Sequence, residues 1–155
     1  MSFNPFADYR VERQIVSPDF LTEDELRKII NFNSPLPRLE RTRDMFLFAC
    51  YTGLSYIDVK TLKAEHLERD NQGRMWIKKN RVKTGVLSRI PLLPSAKILL
   101  DKYAGNETLM PIYSSQDINV YLKDIAILCH IDKRITFHTA RHTFASTVTL
   151  ANNVS

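Results

Sequence analysis

The stretch Thr136-Phe137-His138-Thr139-Ala140-Arg141-His142-Thr143-Phe144 gathers two imidazoles and a guanidinium into one short segment. His138 and Arg141 are three residues apart, so on a helix they project from neighbouring positions of one face. Beside them Phe137, Ala140, Phe144, Val148 and Ala151 recur at three- and four-residue steps, the period of a buried helix stripe. A guanidinium next to such a stripe needs an anionic partner, because an unpaired buried charge is expensive. Two partners fit: a structural carboxylate, or a phosphate bound in bidentate fashion by the planar fork of donors. His138 and His142 also have the i, i+4 spacing of zinc ligands, with Cys129-His130 upstream. The segment lacks the glutamate of a zinc hydrolase and has no acidic third ligand nearby, so no metal site is expected.

Two other elements could contribute chemistry. Lys83 stands in Val82-Lys83-Thr84-Gly85, a turn between two strand-like runs, where a solvated lysine is the ordinary outcome. Thr52-Gly53-Leu54-Ser55 is a turn in which Ser55, three residues before Asp58, is placed to cap a short helix.

The bulk properties set the frame for these elements. A chain of 155 residues with 44% hydrophobic content can bury one real core. A formal charge of +5 and a pI near 9.3 lean towards a polyanionic partner. Cys50 and Cys129 each sit in an apolar run and read as reduced core residues, which fits a cytoplasmic setting. No stretch has the length of a membrane span, residues 1–13 lack the apolar core of a signal peptide, and no repeat is present.

Residues 1–20 are polar and aperiodic and read as a linker. Thr22 and Glu25 form a capping box with Leu21 and Leu26 as its staple, opening a helix to about Phe32 that Pro35 and Pro37 end. A second helix covers roughly Leu39 to Tyr51, with Met45, Phe46, Phe48 and Ala49 inward and Gly53 as its left-handed terminus. The Ser55 helix runs through Leu62. From Leu67 the period shortens to that of strands, with turns at 70–73 and 83–85, strands at 74–79 and 87–92, and Pro91 marking an edge. Ser95 is expected to cap a helix through Tyr103 and Ser115 another with Ile118, Leu122, Ile125 and Leu128 as its stripe. The His138 helix ends near Asn153, and the sequence reads as cut soon after.

Tyr51-Thr52-Gly53-Leu54-Ser55-Tyr56-Ile57-Asp58-Val59, a lysine hairpin ending in Ile90-Pro91-Leu92, and His138-Thr139-Ala140-Arg141-His142 together resemble the catalytic domain of the tyrosine recombinases, the phage integrase family. Order and spacing match from about residue 20 to the end, closest to the integrases of conjugative transposons. The resemblance implies an α+β, mainly helical fold with a small antiparallel sheet. It implies duplex DNA as partner, strand cleavage and rejoining through a 3′-phosphotyrosyl link with no metal or nucleotide cofactor, and a synaptic tetramer in the full-length protein on the bacterial nucleoid. Arg141 matches the arginine that clamps the non-bridging phosphate oxygens, His138 a hydrogen-bond donor or proton mover, and Lys83 the acid that protonates the leaving 5′-oxygen.

Two departures accompany the match. An arginine of the family falls at Ser55, where a hydroxyl cannot replace a guanidinium; Ser55 is either a cap or a phosphate contact. Arg43, on the preceding helix, is either a solvated arginine or the source of the lost charge. The family's nucleophilic tyrosine is absent: none of Tyr9, Tyr51, Tyr56, Tyr103, Tyr113 and Tyr121 follows the His138 helix. The expectation is therefore a partial, C-terminally truncated catalytic domain over 21–155, inactive alone, after a linker from a missing N-terminal DNA-binding domain. The competing reading is a DNA-binding remnant or decoy integrase without chemistry.

Overall fold

The computed structural model describes residues 19–106 and 108–152. Most of the expected linker, Tyr9 and the last three residues lie outside that range. The domain is built around α2, Pro37–Thr52, which packs against α1 (Glu23–Ile30), α3 (Tyr56–Lys60), α4 (Pro94–Lys102), α5 (Ser115–Leu128) and α6 (Phe137–Thr143). From Thr42 onward every residue of α2 is buried, as expected of a helix surrounded by others. Its charged pair is satisfied inside: Arg43 binds Asp44, and Asp44 also accepts from Lys102 at 2.7 Å and from the Tyr103 hydroxyl. No helix among the described residues is long and apolar enough to cross a membrane.

A three-stranded antiparallel sheet of order β1 (Leu67–Arg69), β2 (Met75–Asn80), β3 (Leu87–Pro91) lies to one side, with Ile77 opposite Ile90. The first of these strands is an addition to the sequence reading. At three residues it is too short to show alternation, and it forms because Leu67 pairs with Ile77 across the turn.

Local capping explains most boundaries and several shifts from expectation. The box at Thr22 forms, with Thr22 N–H donating to Glu25 Oε1 at 2.9 Å and Glu25 N–H to Thr22 Oγ1 at 3.2 Å. Pro37 begins α2 rather than ending α1, and Pro94 rather than a Ser95 cap begins α4, since a proline at the first helical position gives up no needed N–H. Ser114, one residue earlier than expected, caps α5 by accepting from Asp117 N–H at 3.1 Å. The α5 stripe continues from Ile125 to Cys129, so Leu128 falls on the outside and is exposed.

The expected long helix after Thr136 is interrupted. After α6 comes a π-helical turn, Phe144–Val148, followed by a last short helix, α7, Thr149–Asn152. Hydroxyls of this region bind the chain ahead of α1: Leu21 N–H donates to Thr143 Oγ1 at 3.0 Å and Thr147 Oγ1 to Leu21 O at 2.6 Å. Thr143 also donates back to Thr139 O at 2.8 Å, the kind of side-chain bond that disturbs a regular helix.

Two contacts fix the elements that carry the candidate residues. At the end of α2, Gly53 has φ +74° and its N–H donates to Ala49 O. A Cβ there would lie 2.5 Å from Phe144 Cδ2, so the absence of a side chain lets the Phe144 ring seat against the turn. The hairpin β2–β3 is pinned separately by Asp58 of α3, which is 2% exposed. Asp58 Oδ1 accepts from Val82 N–H at 2.9 Å and Lys79 Nζ at 3.3 Å, and Oδ2 from Ser55 Oγ at 2.9 Å. Burial pushes the Asp58 pKa up, but the Val82 amide, the Ser55 hydroxyl and the Lys79 ammonium outweigh it and hold it below the ordinary aspartate range.

Gly53→Ala should destabilise the chain by about 1–3 kcal/mol in urea unfolding, combining left-handed strain with the Phe144 clash. Adding Phe144→Leu should recover only the clash, leaving the strain.

Asp58→Asn should cost about 3–5 kcal/mol, because it leaves the buried Lys79 unpaired. A depressed folded pKa contributes stability above the unfolded pKa that is lost as pH falls through the folded one. Unfolding free energy of the native chain should therefore decline below about pH 4, and Asp58→Asn should flatten that decline.

Candidate active site

Each of the three sequence motifs reaches the site on a different element. The Ser55 turn joins α2 to α3, the Lys83 tip joins β2 to β3, and α6 carries His138, Arg141 and His142. The start of α6 is tied to α5 by Phe137 N–H donating to Asn119 Oδ1 at 2.9 Å, and to α3 by the Tyr56 ring, edge-on to Phe137 at 5.7 Å. Phe144 holds the end of α6 against Gly53.

Within α6, Ala140 and Thr143 face the core while His138, Arg141 and His142 are exposed. Arg141 is thus further out than a place beside the stripe suggests, and its guanidinium has no hydrogen bond or ion pair with a described residue. Among the described residues no structural carboxylate claims it. His138 and His142 lie Nε2 to Nε2 at 2.9 Å with rings 81° apart, so one nitrogen donates and the other accepts. No third histidine, cysteine or carboxylate joins them among the described residues.

Lys83 is exposed at the hairpin tip and makes no side-chain bond to a described residue. Its position is nevertheless defined. The adjacent Val82 amide is bonded to Asp58, while Arg81 N–H donates to Val86 O at 2.8 Å and Gly85 N–H to Arg81 O at 2.7 Å. Four residues earlier on the same strand, Lys79 is 6% exposed, its ammonium engaged by Asp58 and by Asn80 O.

Ser55 is a helix cap: its Oγ accepts from Asp58 N–H at 3.4 Å and gives its proton to Asp58 Oδ2. Arg43 is not a solvated arginine. Its guanidinium is spent on Asp44 at 3.0 Å, the Phe32 carbonyl and Glu40 at 3.7 Å, a fork with no free edge for a phosphate.

Arg81 was missed by the sequence reading. Its Nη1 lies 3.8 Å from Asp58 Oδ2, is buried, and lacks a hydrogen-bond partner. Burial and then the nearby positive charge of Arg141 lower its pKa, against the opposite pull of Asp58. The signal is the alternation of Ile77 and Lys79 along β2: both face inward, and Arg81, the residue after the strand, continues that spacing.

The described tyrosines are occupied elsewhere. Tyr56 donates to Tyr113 O at 2.7 Å, Tyr103 to Asp44, Tyr113 packs edge-on to Tyr121, and burial raises Tyr51 to about 12.

Comparison with known proteins gives one consistent result. The model of the phage integrase family matches residues 19–154. No curated protein sequence matches the chain. Among solved structures, the fold resembles the XerH site-specific recombinase bound to its difH substrate in a pre-cleavage complex, with TM-score 0.64 and 15% identity over 88% of this chain and 44% of that one. It resembles a lambda integrase dimer bound to a COC′ core site with TM-score 0.64 and 24% identity over 84% of this chain and 40% of that one. The XerA recombinase gives TM-score 0.61 and 19% identity over 92% and 54%. The chain therefore spans about half or less of the length of each of these structures. With its mainly helical fold, its small antiparallel sheet and a family match over nearly its whole length, the chain belongs to the phage integrase family of tyrosine recombinases.

Proposed function

We propose that this chain is the phosphate-activating part of a site-specific DNA recombinase that breaks and rejoins strands without metal or nucleotide. The observation that carries the reading is the exposed, unpaired guanidinium of Arg141 beside the His138–His142 pair, on a basic chain of this family. Arg141 binds the non-bridging oxygens of the attacked phosphate, where negative charge grows on the way to the transition state, so the contact favours that state over the ground state. His138, oriented by His142, hydrogen-bonds the phosphate or moves the proton of the attacking hydroxyl. A tyrosine oxygen forms the new bond to phosphorus, the bond to the 5′-oxygen breaks, and Lys83 gives its proton to that oxygen. The reading takes the attacking tyrosine from beyond Ser155, together with a preceding DNA-binding domain and assembly into a synaptic tetramer. Contacts of Lys and Arg with phosphates make duplex binding fall steeply with salt.

The test uses the full-length recombinase on its own site. Arg141→Ala should slow cleavage by about 10²–10³, the cost of one lost transition-state donor. Lys83→Ala should be slow on ordinary DNA and recover when the bridging 5′-oxygen is replaced by sulfur, since a thiolate leaves without an acid. Arg141→Ala should gain little from that substrate. If both variants lose only duplex affinity, the residues are anchors and the chain is a binding remnant; equal rescue of both, or of neither, would overturn this division of roles.

A further inference from the structure

Four charged groups meet where α3, the hairpin and α6 converge, and they do not balance. Lys79 and Arg81 both face Asp58, and Arg141 is near enough to Arg81 for their charges to repel. Two cations therefore share one carboxylate, and a third stands close to one of them. Arg81 is not needed to hold that carboxylate. Asp58 already accepts from Ser55, Val82 and Lys79, and a separation of 3.8 Å is too long for a hydrogen bond. The guanidinium is instead left with its buried Nη1 unbonded and its like-charged neighbour close by. A buried donor without a hydrogen bond is costly, and an anion placed between the two guanidinia would both give it a partner and offset their repulsion. The position is also specific, because Ser55 Oγ and Arg81 Nη1 address the same oxygen, Asp58 Oδ2. Arg81 thus stands beside the side chain that replaces an arginine of the resembling family.

We infer that Arg81 is a second catalytic arginine, binding from the Ser55 side the same phosphate that Arg141 binds from α6. The inference rests on the recombinase reading. Two guanidinia surplus to Asp58 and Lys79 match a phosphodiester whose single negative charge approaches two as the attacking oxygen adds. The planar forks can share its non-bridging oxygens, which a serine hydroxyl already donated to Asp58 cannot do. The charge missing at Ser55 is therefore supplied by the next element of the fold rather than by Arg43.

The test compares the full-length recombinase with its Arg81→Ala and Arg81→Gln variants, the second preserving bulk should the first unfold. Single-turnover cleavage is measured on native DNA and on DNA carrying a methylphosphonate at the attacked position, which removes that phosphate's charge. Both variants should cleave native DNA slower by on the order of 10²–10³ and recover most of the loss on methylphosphonate, where the second cation is no longer required. Their melting temperatures should stay close to wild type, because Asp58 keeps its three hydrogen-bond donors. Cleavage of native DNA at the wild-type rate, or a loss that methylphosphonate does not relieve, would make Arg81 a brace of the hairpin and overturn the inference while leaving the recombinase reading intact. A wild-type protein that cleaves neither substrate would bring down the reading itself, and the inference with it.

Discussion

The carboxylate of Asp58 is the constraint on which the arrangement of this domain depends. A two-stranded hairpin has little stability of its own and no intrinsic reason to rest at one angle against a helical bundle. Here its turn end is fixed by a buried anion that takes a backbone amide from Val82 and an ammonium from Lys79, while the same group is oriented by the cap at Ser55. One side chain therefore sets the position of Arg81 and the tip that carries Lys83 relative to α3. The strength of the pin comes from its burial, since an ion pair of this geometry on the surface would contribute little. Lys79 is thus a lysine of the hairpin whose work is structural, distinct from Lys83 at the solvent-facing tip.

The second fixed point is steric. Phe144 rests where a Cβ of Gly53 would be, which couples the turn before Ser55 to the end of α6. The π-helical turn begins at this phenylalanine, and Thr143 and Thr147 on either side of it bind the backbone of Leu21. An extra residue in the helical turn changes the direction in which the following side chains point, and such turns are frequent at functional sites. Asp58 ties the hairpin to α3, and Gly53 ties the turn before Ser55 to the end of α6, so three sequence-distant motifs are linked although each occupies a different element.

Much of this was legible in the sequence because the relevant signals are local. The Thr22 box, the left-handed Gly53 and the Ser55 cap are decided by residues within four positions of one another, and all three form. The helix stripes and the two longer strands follow from apolar period in the same way. The misses have long-range causes. Leu67–Arg69 is a strand only because β2 is present to pair with it, and the π turn follows from hydroxyls that reach Leu21, more than 120 residues away in the chain. Arg43 looked like a candidate for the lost charge because it lies near the turn in sequence, whereas in the fold it is consumed by Asp44. Nothing local marks Arg81 as a site residue, because the groups that define its surroundings, Asp58 and Arg141, come near it only in the fold.

In the proposed function the cations of the hairpin and of α6 serve one phosphate. A structure of the full-length protein on its duplex site, before cleavage, tests this most directly by the distances from each side chain to the DNA backbone. Arg141 and Arg81 should both donate to the non-bridging oxygens of a single phosphate, with Lys83 beside that phosphate's 5′-oxygen. Guanidinia bound to different phosphates, or Arg81 turned back onto Asp58 with no contact to DNA, would contradict it.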